Sequence, residues 1–95
     1  MKYEVLWTEA ARDDLRGIHD YLLTVTSRNT AKRLTREIRQ STRFLPEFPR
    51  MYQVFEDSQE RARHIVVHQW RVLYVIDDGA HCCNVLAVVH THQHI

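Results

Sequence analysis

The sequence predicts an α+β fold, a helical hairpin packed on a small antiparallel sheet in the order β-α-α-β-β-β. Three observations carry this prediction. Apolar residues from Ala11 to Leu45 recur at three- and four-residue steps, the period of helices with one buried side. From Arg61 to His90 the chain instead reads as short β-rich runs: RARHIVVH, WRVLYVI and HCCNVLAVVH, the last two separated by Asp77-Asp78-Gly79. The link between the two helical stripes is short, so the helices should lie antiparallel.

Tyr3–Trp7 alternates and carries Val and aromatic residues, which makes it the first strand. Thr8 caps a helix starting at Glu9, with Asp13 and Asp14 near its positive end. Ala11, Leu15, Ile18, Leu22 and Val25 form its stripe, and Gly17 marks close packing. The polar run Thr26-Ser27-Arg28-Asn29 ends that helix, and Asn29 or Thr30 caps the next. Ala31, Leu34, Ile38, Ser41 and Leu45 form the second stripe, which Pro46 stops. Residues 46–52 form a loop into the sheet, and the acidic stretch Glu56–Glu60 is a solvated mobile loop or hairpin tip. In the strand that follows, Trp70, Val72, Tyr74 and Ile76 share the helix-packed face. Arg71 points the other way, beside Leu73 and Val75. That second face stays partly open and is the place for a site.

At 95 residues the chain is expected to be one domain spanning residues 1–95. The 44% hydrophobic and 26% charged fractions suit a globular protein. With a net charge of +1, any nucleic-acid binding must come from local clustering. The longest apolar run, Val85–Val89, is too short to span a bilayer, and Met1–Val5 lacks the apolar core of a signal peptide. The expectation is a cytoplasmic protein without membrane contact. Cys82 and Cys83 are adjacent in a strand, so they face opposite ways and read as reduced thiols.

Several groups are candidates for chemistry. Lys32, Arg36, Arg39 and Arg43 fall on one ridge of the second helix, flanked by Arg28 and Arg33, with only Glu37 opposed. The ridge is either a surface for phosphates or an acidic partner, or a solvated helix face. Arg71 is either an anion-binding group or the partner of a carboxylate in the Asp77-Asp78 turn or the acidic loop. His64 and His68 share a strand face, with Arg61 and Arg63 on the other. His90, His92 and His94 alternate at the end. Imidazoles suit acid–base work at neutral pH. His90, ending the last core strand, reads as functional, while His92 and His94 read as a frayed tail. No carboxylate or cysteine stands at ligand spacing beside them, so no metal and no cofactor is expected. With Gly17 and Gly79 the only glycines, there is no phosphate loop.

The run Trp7-Thr8-Glu9-Ala10-Ala11-Arg12-Asp13-Asp14-Leu15, with Ile18 and Tyr21, resembles the first strand and helix of the ParE/RelE toxin superfamily. So do Leu45-Pro46-Glu47-Phe48-Pro49-Arg50, Arg63–Val67, Trp70–Asp78 and Val88-Val89-His90. The resemblance implies the toxin of a type II toxin–antitoxin pair, neutralised by a cognate antitoxin. It divides by target. ParE-like members inhibit DNA gyrase and are not nucleases; RelE-like members cut mRNA in the ribosomal A site without a metal. The opening and the Leu-Pro…Phe-Pro-Arg exit look more like ParE. Where RelE-like members use lysines, this chain has Ala62 and His64, and the late basic residues are replaced by His90, His92 and Gln93. Only Arg71 matches a RelE-type catalytic arginine. The expectation is therefore a ParE-like gyrase inhibitor, with Lys32, Arg36, Arg39, Arg43 and Arg63 as partner-binding residues. The alternatives are a ribosome-dependent mRNA endonuclease using Arg71, His64, His90 and His92, or a non-toxic module that binds an antitoxin. The antitoxin interface is expected on the helices and along an exposed sheet edge.

Overall fold

The computed structural model describes residues 2–92. Strand β1 (Glu4–Trp7) leads into α1 (Glu9–Val25) and α2 (Arg28–Gln40), followed by β2 (Arg63–Val67), β3 (Trp70–Asp77) and β4 (Cys82–His90). The Thr8 side chain accepts from the Ala11 amide, as a cap should. The second cap is Ser27, not Asn29 or Thr30: its hydroxyl oxygen accepts from the Thr30 amide at 3.1 Å, so α2 starts three residues earlier than a cap at Thr30 allows. The far end of α2 also differs. Ser41 and Thr42 donate back to the Ile38 and Arg39 carbonyls, at 2.6 and 3.2 Å, and compete with helical bonding there. The chain tightens into turns that bond three residues back, and Leu45 remains fully buried. Pro46 lies within these turns, which run on to the Glu47 and Phe48 amides, rather than ending the helix, and its carbonyl accepts the Tyr3 amide.

The two helices cover one face of a four-stranded sheet of order β1-β4-β3-β2. The β2/β3 and β3/β4 pairs are antiparallel, but β1 runs parallel to β4, so the sheet is mixed. The topology requires this direction. Two antiparallel helices and the return of residues 41–62 bring the chain back to the end at which β1 began. Ala11, Leu15, Leu22, Ala31, Ile38 and Leu45 pack there against Ile65, Trp70, Val72, Tyr74, Cys83, Val85 and Val88. Val25, expected on the stripe, is 58% exposed because α1 outruns the sheet. Nothing lies within 4 Å of a Cβ built on Gly17, so this glycine marks no close packing.

A bulge divides β4. Leu73 pairs with Ala87 but Tyr74 pairs with Val85, which leaves Leu86 as the extra residue. The inward positions therefore change parity, from Cys83 and Val85 to Val88 and His90. Helix α1 is tied to both sides of the bulge. The Thr8 hydroxyl donates to the Val85 carbonyl at 2.8 Å, and the Val88 amide donates to the Asp14 carboxylate at 2.9 Å. The acidic stretch does form a hairpin-like tip, with the Phe55 amide bonded to the Ala62 carbonyl and a bridge between Val54 and Arg63.

Candidate functional site

On the sheet face turned away from the helices, Arg71 meets two aromatic rings. Its guanidinium carbon lies 4.2 Å from the Phe55 ring centre, and a guanidinium N–H donates to His64 Nδ1. Phe55 stacks on His64 with centroids 5.1 Å apart. Strand pairing places Arg71 and His64 diagonally on adjacent strands, and the 53–62 hairpin lays Phe55 over both. The carboxylate partner considered for Arg71 is not there. Asp78 instead accepts from the Tyr3 hydroxyl at 2.6 Å and from Arg50 at 2.5 Å, and among the described residues no carboxylate reaches Arg71. Those two partners, Tyr3 first, hold the Asp78 carboxyl below its usual range. Burial, then the Arg71 charge, lowers the His64 pKa from its ordinary value. A neutral His64 with its proton on Nε2 fits the bond at Nδ1.

His90 does not join this cluster. It pairs with Trp70 across β3/β4, on the helix-covered face, and their rings meet edge to face at 6.2 Å. His92 follows it: the two rings lie 5.1 Å apart, and the His92 amide donates to His90 Nδ1 at 3.2 Å. The sheet thus divides the four histidine and arginine candidates into two pairs. His68 also leaves the face predicted for it. β2 ends at Val67, His68 turns with φ 55°, and its ring reaches Glu37 on α2. That contact, more than Arg33 at 3.5 Å, lowers the Glu37 pKa. Gln93 and His94 lie outside the described residues.

Lys32, Arg36 and Arg39 lie along α2, but Arg43, predicted on the same ridge, follows the end of the helix at Gln40. Lys32, Arg36 and Arg39 are exposed and have no carboxylate partner among the described residues. Arg43 donates to the Gln40 carbonyl at 2.9 Å and covers the Phe44 ring. Arg63 is not part of the ridge. It donates to the Tyr52 carbonyl at 2.6 Å and so holds the loop that leads into β2. The expected open sheet edge is reduced too, because the His64 amide bonds to the Gln53 carbonyl along the first half of β2. Val66, further on, is 56% exposed.

Sequence reasoning missed Phe55, Asp14 and a cleft between the helices lined by Trp7, Arg12, Leu15, Arg16, His19 and Arg39. An aromatic residue preceding an acidic tip is a weak signal, because its target lies on another strand. Asp14 sits beside Leu15 on the stripe, and that inward placement was a usable clue. Among the described residues no group of three or more His, Cys, Asp or Glu side chains converges as metal ligands. Cys82 and Cys83 are free and buried, and burial pushes the Cys83 thiol up. Among the described residues no helix is long and apolar enough to cross a membrane.

Residues 5–95 match the model of a family described as the ParE toxin of type II toxin–antitoxin system, parDE. No curated protein is a significant sequence match. Among solved structures, the chain is similar to one described as the chromosomal ParDE TA system from P. aeruginosa. The TM-score is 0.81 at 13% identity, covering 94% of this chain and 96% of the other. A chain of the RelBE2 toxin–antitoxin complex from Mycobacterium tuberculosis gives a TM-score of 0.68 at 22% identity, covering 95% and 99%. A mutant of the E. coli toxin RelE in the free state gives 0.68 at 16% identity, covering 97% and 86%. At these identities the structures establish a shared fold.

Proposed function

Because the chain belongs to the ParE toxin family of type II toxin–antitoxin systems, we propose that it is a single toxin domain that inhibits DNA gyrase in the cytoplasm and is neutralised by a cognate antitoxin. The observation that carries this reading over a nuclease is the division of the candidate residues by the sheet. RNA cleavage by this chemistry needs a base for the 2′-hydroxyl, an acid for the leaving oxygen and a cation for the phosphate. Arg71 and His64 are together on one face, while His90 and His92 are on the other. The open face therefore offers a cation and one imidazole, and that imidazole already accepts from the cation. The similar Pseudomonas and Mycobacterium structures, both of toxin–antitoxin systems, support an antitoxin partner for this chain.

One observation favours the RelE-like reading. Arg71 has no carboxylate partner among the described residues, and Phe55 beside it could stack on a base. Pulse-labelling after induced expression separates the two. On the gyrase reading, thymidine incorporation falls first while methionine incorporation continues, and purified protein in molar excess stops supercoiling by gyrase. Normal supercoiling with an early fall in translation would replace it with the ribosome. Harmless expression of a folded product would leave only antitoxin binding.

A further inference from the structure

The cleft between α1 and α2 has a volume of about 350 Å³, at the small end of ligand pockets. Trp7 and Leu15 supply its apolar surface, and Arg12, Arg16, His19 and Arg39 supply its cationic and imidazole walls. Two of these cations are unmatched. Arg16 pairs with Asp13, and His19 lies 4.0 Å from Asp20, but Arg12 and Arg39 have no carboxylate partner among the described residues. Lys32 and Arg36 extend the positive charge along the exposed side of α2. The chain as a whole carries only +1, so this charge is concentrated rather than general.

We infer that this cleft docks an acidic peptide segment of a partner protein, with one apolar side chain of the segment seated on Trp7 and Leu15 between Arg12 and Arg39. The inference rests on the toxin reading for the existence of a protein partner, and on the cleft alone for the place. Charge complementarity selects the segment. Its carboxylates answer Arg12 and Arg39, which nothing within the described chain neutralises. The concave apolar surface selects protein over nucleic acid. A duplex would be gripped by cations spaced along a convex ridge and would have no use for a pocket that takes a hydrophobic side chain.

The test uses the whole protein and a short unlabelled peptide of glutamates carrying one leucine and one phenylalanine, followed by calorimetry and tryptophan emission. Trp7 lines the cleft while Trp70 is buried in the core, so binding should shift the emission, and Trp7→Phe should abolish the shift. Arg12→Glu and Arg39→Glu should each weaken binding about tenfold. Arg28→Glu, with the same charge change at the start of α2, should change it by less than about twofold. A lysine-for-glutamate peptide should not bind. Equal binding of that peptide, equal weakening by Arg28→Glu, no saturable binding, or preference for a single-stranded oligonucleotide would each overturn the inference. None of these outcomes depends on whether gyrase is the target, which the labelling experiment decides separately.

Discussion

On the helix-covered face of the sheet, Val72, Tyr74 and Val85 are fully buried in one cluster with the stripes of both helices. On the other face, Leu73 and Ala62 are buried outside that cluster, against the hairpin tip at Ser58–Glu60. Beside them lie Arg71, His64 and Phe55. The first face is built by periodicity, from apolar residues whose spacing alone puts them inside. The second is built by one excursion of the chain that brings an aromatic residue and a polar hairpin tip over an otherwise open surface. Stability should therefore reside chiefly in the first face, and adjustable chemistry in the second.

The strongest way to break this contrast is to excavate each side. Ile38→Ala, fully buried beneath α2, should cost about 2–5 kcal/mol in urea unfolding. Leu73→Ala should fall near the lower end of that range, about 2 kcal/mol, because the hairpin tip above it can collapse into the space. Equal losses would mean that the two faces form one core. Asp14→Ala should cost about 1.5–3 kcal/mol, since it removes a charged acceptor from the Val88 amide. Hydrogen exchange at Val88 should accelerate with it, and unchanged protection there would disprove the tie.

Smaller effects sharpen the open face. His64 titrates below its ordinary value of 6.5 in the folded protein. The unfolded chain therefore binds that proton more readily, and the His64 contribution is complete above the ordinary value and is lost as pH falls through the lowered one. Arg71→Ala removes the lesser cause while burial persists. In an NMR titration the His64 pKa should move up toward its ordinary value without reaching it; an unmoved curve would show that the two groups do not interact. The smallest effect expected is a gain. Gly17→Ala meets no atom and should stabilise α1 by about 0.5–1 kcal/mol in the same unfolding measurement.

The legibility of the sequence follows the same division. The element order, the Thr8 cap, both stripes apart from Val25 and the inward face of β3 were readable, because each depends on residues within a few positions of one another. The Ser27 cap was missed because several adjacent polar residues can each cap a helix, and the winner is set by where α2 begins to pack. The separation of His90 from Arg71 was not readable, because the bulge at Leu86 reverses the alternation that strand counting assumes. The Phe55 contact joins segments that share no local pattern, and the helix cleft exists only once α1 lies against α2.

The parallel pairing of β1 with β4 also sets an order of events. The opening strand finds its sheet partner only in residues 82–85, so that edge of the sheet cannot form during synthesis until β4 has left the ribosome. Until then the α1 cap lacks the Val85 carbonyl that receives its hydroxyl, and Asp14 lacks the Val88 amide. A nascent chain holding only the helical hairpin is therefore an incomplete protein. Whatever this fold does to its host, it begins after the last strand is made.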